Sequence, residues 1–232
     1  MHNISEGFLW YLAFLFSVVV HEASHAFTAM KLGDKTAYEG GQVTLDPFPH
    51  IKREPIGTVL VPILSFLAGG WMIGWASAPY DPVWARNYPQ RSALMSLAGP
   101  LANLALVVVA GLAIRLGMAT DLFYAPDNIN FSHVVAAHSE GTMAGLATLL
   151  SILFTLNLLL FTFNLMPVPP LDGSGIIPFI LSKDRAVAYM DFLHSSQLSF
   201  IGLLVAWKAF DYVFDPVHLL FINMLYPDYG YH

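Results

Sequence analysis

Four long apolar runs organise the 232-residue chain: Phe8–Met30, Ser92–Leu116, Thr142–Phe163 and Ser199–Leu225. Each is long enough for a membrane-spanning helix, which needs roughly 20 mostly apolar residues. The third is the most uniform. The fourth contains Lys208, Asp211, Asp215 and Pro216, and these predict a division into two shorter helices. A fifth apolar stretch, Ile56–Ala76, holds Gly57, Pro62, Gly69, Gly70 and Gly74. Its Gly69-Gly70 pair is expected to break it into a re-entrant hairpin, because glycine admits backbone conformations that close tight turns. Between the runs, residues 40–45 (Gly-Gly-Gln-Val-Thr-Leu) suggest a short strand. Ala78–Gln90, with three prolines, reads as irregular, and Ala119–Glu140 as a polar external loop.

Composition agrees with a membrane setting. Hydrophobic residues make up 56% of the chain and charged residues 11%, against about 25% charged in soluble domains. The net charge of −6 is spread thinly and no basic patch occurs, so nucleic acid is not an expected partner. There are no cysteines, which excludes disulfides and thiol chemistry and leaves His, Asp and Glu as the metal-binding side chains. The N-terminus lacks a basic region and does not read as a cleaved signal peptide. Lys31, Lys35, Lys52 and Arg53 follow the first run and no Lys or Arg precedes it, which predicts an outside N-terminus and a cytoplasmic first loop. The expected fold is therefore an all-α integral membrane bundle of about four to six helices. A small β or re-entrant element is expected between the first and second core helices. One polytopic domain is expected over 1–232, with a core at 8–182 and accessory helices at 183–232.

The one charged cluster inside an apolar run is His21-Glu22-Ala23-Ser24-His25. Residues i and i+4 share a helix face, so the two imidazoles can converge on one zinc ion. Glu22 beside them can act as general base on a water. Composition alone yields such a pentapeptide in roughly 0.7% of comparable chains. Gly7–Val20 before it is apolar except for Ser17, and ionisable groups in lipid-facing helices are expensive and usually functional. The plainer alternative is a wet helix end at the membrane interface.

Catalytic zinc takes three protein ligands and a water. His50, His133, His138, His194, His218 and several carboxylates are available for the third place. Asp172 differs from these because it follows Asn164-Leu165-Met166-Pro167-Val168-Pro169-Pro170-Leu171 and precedes Gly173. The prolines end the third helix and build an irregular, stiff segment. Spacing alone leaves Asp172 equally readable as a ligand or as a solvated loop residue.

The order His21-Glu22-x-x-His25, then Asn164-x-x-Pro167-x-Pro169-x-Leu171-Asp172-Gly173, resembles the site-2 protease family of intramembrane zinc metalloproteases. Gly99-Pro100-Leu101-Ala102-Asn103 resembles the Gly-Pro-x-x-Asn motif of the family's middle core helix. Val43–Pro47 with Pro55-Ile56-Gly57-Thr58 resembles the branch lacking PDZ and CBS domains. His50-Ile51-Lys52-Arg53-Glu54-Pro55 departs from the branch's His-Ile-Asp-Pro by two residues, so no role carries over to His50. The resemblance implies Asp172 as third ligand of one Zn²⁺ and Glu22 as the residue that activates water. It also implies that Asn164 and Asn103 contact the substrate backbone or the oxyanion, where helix capping or interhelical hydrogen bonding is the alternative. Membrane proteins with a transmembrane helix are the implied substrates, cut within the bilayer of the cell membrane at a site open to the cytoplasm.

Two other classes compete. A metal transporter would show repeated halves and a path of intramembrane carboxylates, and a non-catalytic scaffold would not need Glu22 beside His21, His25 and Asp172. A shared metal also fixes topology: the helices ending near His25 and Asp172 must run the same way, with one crossing between them. That predicts that Leu60–Pro79 dips in and returns, offering an edge for an extended substrate.

Overall fold

In a computed structural model, which describes residues 4–193 and 198–231, the chain is an all-α membrane protein built on three long helices. Helix α1 is Ile4–Leu32. Gly33, at φ +112°, lets the chain leave it sharply. Asp34 then starts α2 (Thr36–Glu39) by accepting hydrogen bonds from the Thr36 amide at 2.9 Å and its hydroxyl at 2.6 Å. Helix α3 (Pro47–Arg53) is capped by Asp46, whose carboxylate accepts from the Phe48 amide, with Pro47 in the first turn where no amide donor is needed.

Ile56–Ala76 folds as a short helix followed by a returning segment. A π-helical turn, Ile56–Leu60, runs into α4 (Val61–Gly69), which stops at Gly70 with φ +78°. The chain then returns without regular secondary structure. The Trp75 amide donates to the Gly57 carbonyl at 3.1 Å, and a β-carbon on Gly57 or Gly74 would overlap the opposing backbone. Two glycines face to face are what allow the helix and the returning segment to touch.

The strand expected at 40–45 is not formed. Gly41 at φ +74° closes a turn on α2, with the amides of Gly41 and Gln42 donating to Tyr38 and Ala37. The Gln42 side chain, not a backbone ladder, reaches the returning segment at the Ser77 carbonyl, 3.1 Å away. The region 78–90 is also more regular than expected. Pro82 and Pro89 begin helices rather than break them: α5 (Pro82–Asn87), capped by Asp81, and α6 (Pro89–Ala119).

Strands β1 (Phe123–Tyr124) and β2 (Ala136–Ala137) pair antiparallel in the connection to α7 (Thr142–Asn164). After the Pro-rich segment come α8 (Asp172–Ile176), a 3₁₀ turn (Ile177–Ile180), α9 (Lys183–Leu193) and α10 (Leu198–Leu225). Helix α10 continues through Pro216 instead of dividing there. A proline costs the helix one hydrogen bond, a loss that packed membrane helices tolerate. Among the described residues α1, α6 and α7 are long and apolar enough to cross a membrane, and α9 with α10 makes a fourth, bent candidate.

Half of the α7 span is buried against 39% for α1 and α6, so α7 is the central helix. Trp10 and Phe14 of α1 pack with Ile152 and Leu156 of α7, and α1 and α7 run parallel. Helix α6 runs opposite to both, its start beside the end of α1, where Arg91 donates to the Leu32 carbonyl at 3.1 Å. At its other end Arg115 donates to the Leu225 carbonyl of α10. Lipid competes with apolar side chains for contact, so close packing and interhelical hydrogen bonds, at about 0.6–2 kcal/mol each, hold such bundles together.

Candidate metal centre

His21, Glu22 and His25 lie on the inner face of α1 and are each 6–7% exposed. The helical spacing sets the two imidazoles edge to face, with centroids 4.6 Å apart and planes at 80°. Their Nε2 atoms converge to 3.0 Å. Asp172, the first residue of α8, brings Oδ2 to 3.0 Å from His21 Nε2 and 3.3 Å from His25 Nε2. The three prolines and Gly173 make this possible. A β-carbon on Gly173 would overlap the carbonyls of Leu165 and Met166, so only glycine lets the chain fold back over the end of α7.

The outer nitrogen of each imidazole faces an oxygen. His21 Nδ1 lies 2.5 Å from Asn103 Oδ1 and His25 Nδ1 lies 2.7 Å from the Met95 carbonyl. A carbonyl oxygen only accepts, so each Nδ1 carries the proton and each Nε2 presents a lone pair inward. Two imidazole lone pairs and a carboxylate oxygen thus meet within 3.3 Å of one another. With both rings neutral these three donors repel one another, and a shared cation, or a proton on one Nε2, relieves the repulsion.

Zinc fits this donor set. With bonds of 2.0–2.1 Å, neighbouring ligands on a tetrahedron stand about 3.3–3.4 Å apart, close to the observed edges of 3.0, 3.0 and 3.3 Å. Glu22 offers a carboxylate oxygen within 4.8 Å of both imidazole donors. All four residues line a cavity of about 900 Å³ that is also bordered by Asn164 and by Trp75 of the returning segment.

The two asparagines part company. Asn164 lines the cavity, with Nδ2 donating to the Leu160 carbonyl at 3.0 Å. Asn103 is fully buried behind His21, and both ends of its amide are engaged by protein. Of the two readings open for Asn103, the structure shows the interhelical hydrogen bonds, one of them to a candidate ligand. Among the described residues, the other histidines stand elsewhere. His50 is buried with Nε2 3.2 Å from the Thr44 carbonyl. His133 pairs with Asn130, His138 with Asp121, and His218 stacks on Phe214. His194 lies outside the described residues.

Ser17 and Asn157 were not among the residues expected at the site, although both are fully buried beside Asn103. Asn157 sits two helical turns before Asn164, in the middle of the most apolar helix. That is the signal by which it could have been found. The Met95 contact is made by backbone and has no side-chain signature.

A sequence model of peptidase family M50 matches residues 9–203. YwhC of Bacillus subtilis is 35% identical over 167 residues, 72% of this chain and 66% of that protein. Rip2 of Mycobacterium tuberculosis is 36% identical over 197 residues, 84% and 64% of the two chains. Rip2 of Mycolicibacterium smegmatis is 29% identical over 210 residues, 89% and 70%. All three bear provisional zinc-metalloprotease names. The chain spans about two thirds of the length of these relatives. No solved structure matches it.

Proposed function

The chain belongs to peptidase family M50, the site-2 protease family, and on that footing we propose that it is an intramembrane zinc endopeptidase cutting membrane proteins within or beside a transmembrane segment. The observation that carries this reading is the triangle of His21 Nε2, His25 Nε2 and Asp172 Oδ2, with edges of 3.0–3.3 Å and Glu22 alongside. Those three residues would hold one zinc ion per chain. Zinc so held would supply the Lewis acidity that polarises a carbonyl and lowers the pKa of a bound water to about 7.

The protein's own groups do the rest. Glu22 takes the proton of the attacking water and returns it to the leaving amine. Asn164, on the cavity wall, donates to the substrate backbone or the developing oxyanion. Asn103 keeps His21 in the productive tautomer rather than touching substrate. Residues 74–78 of the returning segment carry no regular secondary structure and border the cavity, and an unwound substrate lies against them. A helical substrate hides its peptide bonds, so helix-breaking residues near the cut promote cleavage.

The cavity opens to the cytoplasm in this reading. Of ten basic residues, eight (Lys31, Lys35, Lys52, Arg53, Arg86, Arg91, Lys183 and Arg185) lie in the segments at the metal-centre end of the bundle. That asymmetry favours a cytoplasmic site in a cell membrane.

The test is zinc content of purified wild type and Asp172→Ala, paired with cleavage of a single-span reporter. Wild type is expected to carry one zinc and cut the reporter, and the variant to lose both. Full zinc occupancy in Asp172→Ala, or cleavage by zinc-free protein, overturns the proposal.

A further inference from the structure

Three fully buried polar side chains, one from each long helix, form a line behind His21. Ser17 belongs to α1, Asn103 to α6 and Asn157 to α7, and each is 0% exposed. Their hydrogen bonds have one direction. Ser17 Oγ donates to the Ala13 carbonyl at 2.6 Å. Because that hydrogen is used, Ser17 Oγ accepts from Asn157 Nδ2 at 2.9 Å. Asn157 Nδ2 also donates to the Leu153 carbonyl at 2.8 Å, so its amide is fixed by two acceptors. Asn157 Oδ1 is left facing Asn103 and accepts from Asn103 Nδ2 at 2.8 Å. Asn103 must then turn Oδ1 toward His21 Nδ1.

An isolated asparagine can flip its amide and offer either end. Asn103 flipped would offer Nδ2 to His21, which would place the imidazole proton on Nε2 and close that nitrogen to a metal. Only Asn157 stands against the flip at a distance that matters, since the second bond of Asn103 Nδ2, to the Ser17 carbonyl, is 3.5 Å long. We infer that Asn157 is a positioning residue for His21: acting through Asn103, it fixes the orientation and tautomer of a metal ligand it never touches. The inference rests on the zinc-ligand reading of His21 and adds α7 to the helices that define that ligand.

The full chain in detergent is titrated with zinc against a competing chelator, and histidine ¹⁵N spectra are recorded on zinc-free protein. Asn157→Leu keeps volume and removes the amide; it is expected to weaken zinc binding about 10–100-fold, the range for lost outer hydrogen bonds to metal-binding His. Zinc-free wild type is expected to show His21 protonated at Nδ1, and Asn157→Leu to shift part of the signal to the Nε2 form. Ser17→Ala moves both readouts the same way by a smaller factor. Ser151→Ala is the comparison: an equally buried α7 hydroxyl that binds the Val134 and Val135 amides, with no link to His21. It should lower stability and leave both readouts alone.

Folded Asn157→Leu with zinc affinity within about twofold of wild type overturns the inference, as does equal weakening by Ser151→Ala. If Asn157→Leu does not fold, Ser17→Ala and the wild-type spectrum decide, and a neutral His21 protonated at Nε2 alone in zinc-free wild type overturns it. Wild type that binds zinc yet cuts no reporter removes the protease reading and leaves this inference standing.

Discussion

Gly99 of α6 approaches His25 of α1 so closely that a β-carbon at position 99 would overlap its Nε2 and crowd that of His21. The Gly-Pro-x-x-Asn segment therefore serves the metal centre twice. Gly99 gives both imidazoles room and Asn103, one turn on, orients one of them. Alanine in place of glycine should favour the helix by up to about 1 kcal/mol, so Gly99→Ala is expected to fold. It is also expected to displace both donors and lower zinc affinity at least tenfold, on the order seen for disturbed ligand shells. Zinc titration with circular dichroism checks both halves.

Glu22→Gln retains size and removes the base. Zinc content should stay at the wild-type level, because His21, His25 and Asp172 already supply three donors. Reporter cleavage should fall by about 10²–10⁴-fold, the usual contribution of a positioned acid–base group. Retained turnover would assign the proton transfer to another group.

The long helices were legible because the first three apolar runs each lie within one long helix, and the His21–His25 pair because a helix fixes its geometry. Asp172 joined them only once the Pro-rich segment could be followed back over α7. Punctuation was harder to read. Pro82 and Pro89 looked like breakers and are first-turn residues, while Pro216 looked like a break and lies inside a helix. Proline fixes φ and removes a donor in both settings, and only the neighbouring chain decides whether that donor was needed. Asn103 stayed open between two readings for a related reason: a polar residue in an apolar helix announces a partner but not which one.

Zinc removal should destabilise the folded chain if His21, His25 and Asp172 are its ligands, because a ligand that binds only the folded state stabilises it. At free zinc about 100 times the dissociation constant, the stabilisation is about 2.7 kcal/mol. Thermal denaturation with and without a chelator should show a higher midpoint for the zinc-loaded protein. The shift should vanish in Asp172→Ala.

Asp34 ties the end of α1 to the returning segment, accepting from Thr36 and, at 2.8 Å, from the Asp81 amide. Burial alone would push its carboxyl up, but these hydrogen bonds prevail and hold it below the ordinary carboxylate range. The native state therefore releases this proton more readily than the unfolded chain does. The stabilisation is complete above the unfolded value of about 3.9 and is lost as pH falls through the lower folded value. Denaturation midpoints of wild type and Asp34→Asn should differ at pH 6 and converge in acid.

Gly202 seats α10 on the Pro-rich segment, where a β-carbon would overlap the Pro169 carbonyl. Gly202→Val should push α10 away, disturb the segment that carries Asp172 and lower both zinc affinity and cleavage. Gly145→Ala in α7 meets open space and should be neutral, or stabilising by up to about 1 kcal/mol. Parallel zinc and reporter assays on the two variants separate a local effect from a general intolerance of glycine replacement.

His21 and Asp172 meet across 151 positions of chain. On the proposed ligand set, a nascent polypeptide has its histidine pair and base in the membrane long before its carboxylate ligand exists. At about 5–20 residues per second, that interval lasts roughly 8–30 s. On that reading the site stays incomplete, and inert, until the segment after the third long helix is laid beside the first.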